Sequence, residues 1–411
     1  MTDVVIVDGI EVVILSDTEQ EVIEVGVQGP PGTQGPAGNP GTPGADGADG
    51  VGVPAGGTVG QLLAKLSGTD YATQWIDPPS AGSSIALWNP LVNGAFGIKQ
   101  DPVTSNADDT YAHDQWYVLT QTGAIAVSTL TNVEDGLPTM ARLTQSQVTS
   151  QRMGYAQIVE GENCKHLRGK QVTFRFGRER MSAAGNIRIA VLEWTGAEDV
   201  VTSDVVNSWT SGTYTPGNFF LGSNLAVSGI VAQTLAANTL TDGTALTVTL
   251  GSTFNNLIVF VWTESAVAQN VTLDLGLAQI DMGATARPFE HRPYAIELML
   301  CHRYYYRINA TAVNQSYGNG YTVSTTVAAG VTPFPVAMRA PPTALEQSGT
   351  AANYSIATPT LVYVCTAVPV FNAATTWNAT TVFTSSGMTA SIPGLLHSNA
   401  IGAYLAWSAR L

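Results

Sequence analysis

The sequence predicts an elongated, mostly β homotrimer, and three observations lead to this prediction. Thr, Val, Ala, Ser and Asn are abundant, and these residues favour strands and turns. Glycine recurs at every third position over residues 26–50, which is the period of the collagen triple helix. Apolar runs of strand length, separated by turn residues, fill residues 87–294 with few helical patterns between them. They predict a β-sandwich or jelly roll.

Composition limits the classes of partner. The 411 residues include 17 Lys and Arg against 31 Asp and Glu, so the net charge is −14. A chain this acidic repels phosphate backbones, and we therefore expect no nucleic-acid partner. The length is that of two or three domains with their own hydrophobic cores.

The cysteines and the first residues indicate synthesis in the cytoplasm. Cys164, Cys301 and Cys365 cannot all pair within one chain, so we expect no disulfide scaffold. The start, MTDVVIVDGIEVV, contains three acids and no basic residue, so we expect no secretory signal peptide. The longest apolar run, Leu257 to Trp262, is too short to cross a bilayer.

Two segments with different roles are predicted at the N-terminus. Residues 1–25 contain two short strands that turn at Asp8-Gly9, a favourable hairpin dipeptide. Residues 26–52 form a collagen-like triple helix, because only glycine fits where three chains meet at the axis. A flexible Gly/Pro linker is the alternative, although a linker requires no period. The trimerisation glycines are Gly26, Gly29, Gly32, Gly35, Gly38, Gly41, Gly44, Gly47 and Gly50.

Residues 53–86 are predicted to connect three chains. Leu62, Leu63 and Leu66 can pack about a three-fold axis. Tyr71 and Trp75 are large apolar surfaces that so short a stretch of one chain cannot bury. We therefore expect this connector to be trimeric.

Two β domains follow, at residues 87–294 and 295–411. The first contains alternating strands at 172–176, 187–191, 246–250 and 271–277, and a fully buried strand at 257–262. The second opens with a short helix over 295–303, with Ile296, Met299 and Leu300 on one face. Its strands are predicted at 362–364, 368–371 and 404–407, and Pro369 places the second of these at a sheet edge.

Several phrases of the chain resemble tail fibres and receptor-binding proteins of tailed bacteriophages. Gly56 to Trp75 is similar to a segment that recurs in such fibres. Asn89 to Phe96 and Pro288 to Tyr294 resemble the boundaries of a carbohydrate-binding-like jelly roll found in phage structural proteins. Cys301 to Tyr306 is similar to the phrase that joins that module to a C-terminal β domain, here the tip.

The resemblance implies a homotrimeric virion protein of the tail fibre. Its N-terminal segment would attach to tail or baseplate proteins, and its C-terminal domains would face the host. The implied receptor is polysaccharide or lipopolysaccharide of the host cell surface. No ligand residues are implied by the resemblance.

The sequence contains no recognisable catalytic or metal-binding motif. There is no nucleophile elbow, phosphate-binding loop, dinucleotide fingerprint or zinc spacing. We therefore expect no cofactor, no metal and no enzymatic activity. Asp108-Asp109 is interpreted as a plain turn, with calcium binding as the alternative. The histidines are scattered and favour hydrogen-bonded or solvated roles: His113, His166, His291, His302 and His397.

Basic residues cluster in one stretch, and two interpretations stay open. The cluster could face acidic polysaccharide or lipopolysaccharide phosphate, or it could be an ordinary solvated sheet face, which is the favoured interpretation. Its members are Lys165, Arg168, Lys170, Arg175, Arg178 and Arg180.

Aromatic residues are the candidate glycan-binding groups, because a pyranose presents an apolar C–H face to a flat ring. Trp194, Phe219 and Phe220 are expected in the core. Packing between the copies of a trimer is the alternative for the candidates of the second domain. The candidates are Trp209 and Tyr214 in the first domain and Tyr317, Tyr321, Tyr354 and Trp377 in the second.

Two other functions are considered. A polysaccharide depolymerase needs two carboxylates that flank the bond, and Glu193, Asp199, Asp204 and Glu264 are available, but no spacing selects a pair. A structural spacer fibre, with the adhesin on another protein, is the third possibility.

Overall fold

The computed structural model describes residues 3–7, 10–14, 31–38, 40–41, 53–76 and 89–411. The chain divides into two compact units, Met1–Pro78 and Pro79–Leu411. Nearly all regular structure in both units is β, as predicted. Neither helix among the described residues has the length and hydropathy that a membrane span requires.

The first unit contains two antiparallel hairpins. The first hairpin pairs Val7 with Ile10, which confirms the predicted strands; Asp8 and Gly9 themselves lie outside the described residues. In the second, the Trp75 indole donates a hydrogen bond to the Pro54 carbonyl at 2.6 Å. The strands are β1 Asp3–Val7, β2 Ile10–Ile14, β3 Leu62–Lys65 and β4 Thr73–Ile76.

The described part of the glycine repeat is exposed along a single chain. Positions 31–38 and 40–41 are all exposed and have no regular secondary structure. A Cβ added at Gly32, Gly35, Gly38 or Gly41 would meet no atom within 4 Å. The triple helix stays a prediction, and Gly26, Gly29, Gly44, Gly47 and Gly50 lie outside the described residues.

The connector leaves apolar side chains in water. Leu62, Leu63, Leu66 and Tyr71 are all exposed in the single chain. Such exposure is what the expected packing of three connectors would remove.

The second unit begins with a sandwich of two antiparallel sheets. One sheet has the order β13-β10-β15-β8-β7-β5 and the other β12-β11-β14-β9-β6. The strands are β5 Ser105–Asn106, β6 Tyr117–Thr120, β7 Ile125–Thr131, β8 Thr139–Thr144, β9 Met153–Val159, β10 Gln171–Met181, β11 Gly185–Trp194, β12 Leu225–Leu235, β13 Leu246–Thr249, β14 Asn256–Thr263 and β15 Thr272–Met282. A short helix, α1 Gly161–Cys164, and the 3-10 turns Glu134–Gly136 and Lys165–Leu167 connect them.

Strand β14 is buried along its whole length, as the continuous apolar run predicts. Leu257, Val259 and Val261 face the core between the two sheets. Ile258, Phe260 and Trp262 face the other way and are buried as well. The segment 195–224, which we call the cap, covers that second face with Val205, Val206, Phe219 and Phe220. Water is therefore excluded from both faces of the five-stranded sheet along this strand.

The C-terminal part of the chain follows a helix, α2 Tyr294–His302. Leu298, Leu300 and Cys301 of this helix pack with Val92 and Ile98 of the sandwich. The predicted apolar face is therefore partly wrong: Met299 is exposed, because the contact with the sandwich selects the side with Leu298 and Cys301.

Two further sheets complete the second unit. A seven-stranded sheet has the order β21-β20-β24-β17-β18-β23-β22, and a three-stranded sheet has the order β16-β25-β19. Strand β22 is an edge strand, as Pro369 predicts. The strands are β16 Tyr305–Asn309, β17 Ser316–Thr322, β18 Val327–Pro333, β19 Glu346–Gln347, β20 Tyr354–Ala357, β21 Val362–Val364, β22 Ala367–Ala374, β23 Asn378–Thr384, β24 Pro393–Ser398 and β25 Tyr404–Ser408, with a 3-10 turn at Ala351–Asn353.

Arg292 joins the beginning of the sandwich to its end. Its side chain is 4% exposed and forms an ion pair with Glu297 at 3.1 Å. It also donates to the carbonyl oxygens of Leu91, at 3.0 Å, and Asn89. Glu297 in turn accepts the amide hydrogen of Asn93. The two phrases that the sequence marks as module boundaries therefore meet around one guanidinium.

The C-terminal β sheets are tied to the sandwich by a second set of polar contacts. Arg303 donates two hydrogen bonds to Glu160, at 2.6 and 2.9 Å, and the Tyr304 hydroxyl donates a third at 2.8 Å. The Arg410 guanidinium lies over the rings of Tyr111 and Tyr305, 4.5 and 3.8 Å from their centroids. These contacts fix the orientation of the C-terminal sheets.

Replacing Arg292 with Met is expected to lower the free energy of unfolding of the second unit by about 3–5 kcal/mol, because Glu297 and two carbonyl oxygens lose a buried partner. The measurement is the denaturant midpoint of the full chain by circular dichroism. Lys170→Met, at an exposed position, is the control and should shift the free energy by no more than about 0.5 kcal/mol. Equal midpoints for the two variants would contradict this account of Arg292.

Candidate functional site

Trp209 and Tyr214 belong to the cap and are half-buried. The Trp209 ring contacts Phe219 and Phe260 edge to face, with centroids 5.8 and 6.1 Å apart. The Tyr214 ring lies 5.1 Å from Phe219 and has the Arg188 guanidinium 4.2 Å above it. Both rings therefore hold the cap on the sheet and offer a solvent-facing part beside it.

Charged groups surround these two rings. Arg188 forms an ion pair with Glu264 at 2.6 Å, and Arg152 donates to the Trp209 carbonyl. The hydrogen bond from Arg188 lowers the pKa of Glu264, so this carboxylate stays ionised. The surface offers donors and acceptors beside aromatic carbon, but Arg188 occupies one face of Tyr214.

Tyr317 and Tyr354 lie in the hydrophobic core beneath the seven-stranded sheet. The Tyr354 ring is fully buried, and its hydroxyl donates to the Tyr404 carbonyl at 2.7 Å. The Tyr317 ring packs 6.0 Å from it, centroid to centroid. The prediction that these two rings are exposed sugar platforms is therefore not met, because both side chains are buried in the hydrophobic core of the chain.

Trp377 is presented to solvent, with 62% of its surface exposed. It lies in the turn between β22 and β23, where Thr375 Oγ1 accepts the amide hydrogens of Trp377 and Asn378. The backbone of Phe334 donates to the Trp377 carbonyl at 2.8 Å, which fixes the turn from the other side. Among the described tryptophans, it alone is exposed. An exposed ring on a fixed turn is a ready platform for an apolar sugar face.

Tyr321 is also exposed, at 55%, but in a different setting. It lies on the seven-stranded sheet opposite Pro393. A shallow groove nearby is lined by Asn319, Thr358 and Leu395 with their neighbours. Its surroundings are uncharged and mostly apolar.

The carboxylates considered for hydrolysis have structural hydrogen bonds in separate places. Glu193 accepts from Ser228 and from the Gly251 amide, at 2.7 and 2.8 Å. Asp199 accepts from the Gly161 amide and from Asn256, at 2.9 and 2.6 Å. Glu264 is paired with Arg188. Each of these three carboxylates therefore has a structural role through the hydrogen bonds that it accepts.

Three acids do converge at one place. The carboxylates of Asp108, Asp109 and Asp204 each offer an oxygen within 4.8 Å of the others, a spacing that could hold a divalent cation. Burial, followed by the charges of the other two acids, raises the pKa of Asp204 to about 6. Two of the acids accept backbone hydrogen bonds: Asp108 from the amide of Thr120 at the end of β6, and Asp204 from the amide of Val206. Residues 108 and 109 lie in a turn closed by the hydrogen bond from the Thr110 amide to the Ala107 carbonyl at 3.3 Å, in line with the turn interpretation.

Three of the six residues of the basic cluster form ion pairs with acids of the same chain. Lys165 pairs with Glu198, Arg178 with Asp242, and Arg180 with Asp274. Arg168 donates to the Phe254 carbonyl at 2.6 Å. These partners support the favoured interpretation, a solvated face of the sandwich.

The cysteines and His113 are also part of the core. All three cysteines are free and buried, which agrees with the expected absence of a disulfide scaffold. His113 bonds to the Tyr155 hydroxyl and to Thr129, at 2.9 and 2.8 Å. Burial, with a smaller contribution from Lys99, lowers the pKa of His113 to about 3, so its ring is neutral.

Glu179 is a buried carboxyl that the sequence pattern does not reveal. It is fully buried, and neither of its oxygens has a hydrogen-bond partner among the described residues. Burial raises its pKa to about 8. Along β10 the core-facing positions shift from even-numbered to odd-numbered residues at Gly177, which faces Leu277 of β15. Leu277 has a left-handed φ of 59°, and a Cβ at Gly177 would lie 2.8 Å from the Leu277 Cβ. This local distortion places Glu179 inside.

No protein-family model and no curated protein matches the chain. Among solved structures, the chain is similar to the enzymatically active domain of tailspike protein 4 from bacteriophage CBA120, with 13% identity and a TM-score of 0.30 over 48% of this chain. The match spans 22% of that tailspike chain.

Two sugar-binding structures are similar over nearly their full length. TmCBM61, solved in complex with β-1,4-galactotriose, has 12% identity and a TM-score of 0.29, covering 47% of this chain and 99% of the other. The CBM22-1 xylan-binding domain of Xyn10C from Paenibacillus barcinonensis has 11% identity and a TM-score of 0.27, covering 46% and 99%.

The buried Glu179 predicts a specific pH dependence. Because its pKa is raised to about 8 in the folded protein from an ordinary 4.5, the folded state holds a proton that the unfolded chain releases. Its contribution to stability is present below about pH 4.5 and is lost as the pH rises through 8, by about 1.4 kcal/mol per pH unit between these values.

Glu179→Gln is therefore expected to flatten the decline in unfolding free energy between pH 5 and 8, measured by denaturant titration. Glu134→Gln, whose side chain is 72% exposed, is the matched control and should keep the parent profile. A parent profile that already rises over this range, unchanged in Glu179→Gln, would disprove the assignment.

Proposed function

We propose that this chain is a tail-fibre protein of a tailed bacteriophage. In this proposal it forms a homotrimer, attaches to the tail through residues 1–25, and binds polysaccharide or lipopolysaccharide on the host cell surface. The glycine period supports the three-chain assembly, since only glycine fits at a triple-helix axis. The phrases at Gly56 to Trp75 and Cys301 to Tyr306 support the viral class.

The exposed Trp377 is the observation that carries glycan binding. A fixed, solvent-facing indole binds the C–H face of a sugar without the entropy loss of ordering a loop. The neighbouring Thr375 and Asn378 supply hydroxyl and amide groups for sugar hydroxyls. Trp209 and Tyr214, with Arg188 and Glu264 beside them, form a second candidate surface on the sandwich.

The proposed mechanism is binding without cleavage, through several weak sites. In this proposal each site binds in the millimolar range, which corresponds to about −4 kcal/mol. Three such sites on one trimer, facing a dense glycan surface, gain through effective concentration. Attachment then depends on the number of sites more than on the strength of each.

Trp377→Ala is expected to reduce binding of the full-length protein to an array of bacterial polysaccharides and lipopolysaccharides at least about tenfold, because the loss applies to each of three sites. Trp377→Tyr keeps an aromatic platform and should retain most of the binding. Thermal unfolding of both variants should match the parent, since the ring is exposed. If Trp377→Ala binds every glycan as tightly as the parent protein does, Trp377 is not part of the binding site.

A second measurement addresses hydrolysis. The glycans that the protein binds are expected to release no reducing ends and no shorter chains on incubation with it. Chain shortening that disappears in Glu193→Gln or Glu264→Gln would instead move the protein to the depolymerase class. A Lys170→Ala variant is the control for nonspecific loss of activity.

A further inference from the structure

Three carboxylates from two distant segments of the chain meet where the cap approaches the loop before β6. Asp108 and Asp109 lie between β5 and β6, and Asp204 lies in the cap. One oxygen of each lies within 4.8 Å of the others. Two of the acids are exposed and the third is half-buried, so an ion can reach them from solvent. The turn explains the position of Asp108 and Asp109, but it does not explain why the fold brings Asp204 to the same place.

The charges of these acids have no basic neighbour to balance them. Burial raises the pKa of Asp109, and the charge of Asp108 raises it further. The groups that act on the carboxyls of Asp109 and Asp204 include no arginine and no lysine of the described residues. Like charges this close disfavour one another. A bound cation would convert this repulsion into attraction.

A buried hydroxyl beside the acids is a second and independent observation. Tyr117 is fully buried, and its hydroxyl has no hydrogen-bond partner among the described residues. Burial raises the pKa of this hydroxyl well above its ordinary value, and the charges of Tyr111, Asp109 and Asp204 raise it further. The hydroxyl therefore lies within electrostatic reach of two of the three acids. Buried hydroxyls in folded proteins are normally hydrogen-bonded, and a water held by an ion would be such a partner.

We propose that Asp108, Asp109 and Asp204 bind one Ca²⁺ ion. A water on the ion completes the hydrogen bonding of the Tyr117 hydroxyl. Carboxylate oxygens without Cys or His suit a hard cation. Calcium takes about six to eight oxygen ligands at about 2.3–2.6 Å in flexible geometry, so three carboxylates leave positions for water. Magnesium requires a near-ideal octahedron and is usually held by one or two carboxylates.

The ion would fasten the cap to the sandwich. Asp204 directly precedes Val205 and Val206, which cover the second apolar face of the five-stranded sheet. Asp108 is held to the end of β6 by the amide of Thr120 at 2.6 Å. One ion bound to both acids therefore links the cap to that strand. Since the acids meet only in the folded chain, calcium should stabilise the fold. This site goes beyond the proposed function and depends on neither the glycan nor the trimer.

The experiment compares calcium binding and stability in the full-length protein. Binding is measured by equilibrium dialysis after treatment with EGTA. Stability is measured as the denaturant midpoint by circular dichroism in EGTA, in CaCl₂ and in MgCl₂. The variants are Asp109→Asn and Asp204→Asn. Asparagine tolerates the left-handed φ of 60° at position 109 and keeps an acceptor for Val206 at position 204. Asp70→Asn, whose side chain is 92% exposed, is the matched control.

The parent and the control are expected to bind one Ca²⁺ per chain, and both variants should bind it at least about tenfold more weakly. At a calcium concentration of about 100 times the Kd, the folding equilibrium constant of the parent should rise about 100-fold. In EGTA the two variants should be at least as stable as the parent, because one of three repelling charges is gone. A purely structural role of the acids would instead lower the stability of the variants in EGTA.

Tyr117→Phe tests the hydroxyl separately. It should weaken calcium binding by a smaller factor than either acid variant. Its midpoint in EGTA should equal or exceed that of the parent, because the hydroxyl loses no hydrogen bond among the described residues. Unchanged affinity for calcium would exclude the hydroxyl from the site.

Three results would overturn the calcium site. The first is a parent protein that binds no calcium in a saturable way. The second is binding that Asp109→Asn and Asp204→Asn both retain, which would place the ion elsewhere. The third is an equal rise of the midpoint in MgCl₂ and CaCl₂, which would indicate an adventitious ion only, attracted by acidic surface.

Discussion

The buried guanidinium of Arg292 is the interaction on which the arrangement of the second unit depends. It takes its acceptors from the first residues of the sandwich and from helix α2, two segments that lie about 200 residues apart. Because the charge has little contact with water, every acceptor around it must remain in place. The end of the sandwich is thereby held at its beginning, and α2 leaves from that point toward Tyr304 and Glu160. The contacts of Arg303, Tyr304 and Arg410 then fix the orientation of the C-terminal sheets.

The five-stranded sheet of the sandwich has a second apolar face that requires a cover of its own. In the sandwich, Ile258, Phe260 and Trp262 turn away from the main core, and the cap covers them with Phe219 and Phe220. The cap therefore has a structural role, and its aromatic residues cannot all be read as ligand contacts.

Patterns that alternate every second residue predicted the strands well, because the side chains of a strand point alternately toward and away from the core. Residues 172–176 and 187–191 are strands, and the continuous run 257–262 is buried on both faces. The site residues were harder to predict. Tyr317 and Tyr321 are four residues apart and would share a face in a regular strand, but the register shifts between Ser316 and Gly318. Tyr317 is therefore buried while Tyr321 is exposed, and Glu179 is hidden by the distortion at Gly177 in the same way. Irregularities of this kind depend on the partner strand, which the local sequence does not contain.

The stiffness of a triple helix would connect the proposed trimer to the proposed glycan binding. A triple helix over residues 26–52 would extend about 80 Å at roughly 3.1 Å per residue and would hold the β domains away from the tail. Multivalent attachment raises the affinity only if each site is already ordered. A flexible loop would lose conformational entropy on binding at all three sites. The Trp377 turn avoids that cost, because Thr375 and the backbone of Phe334 already fix it. In the proposed function, a weak, rigid and repeated contact would be sufficient for attachment, and no deep pocket would be required.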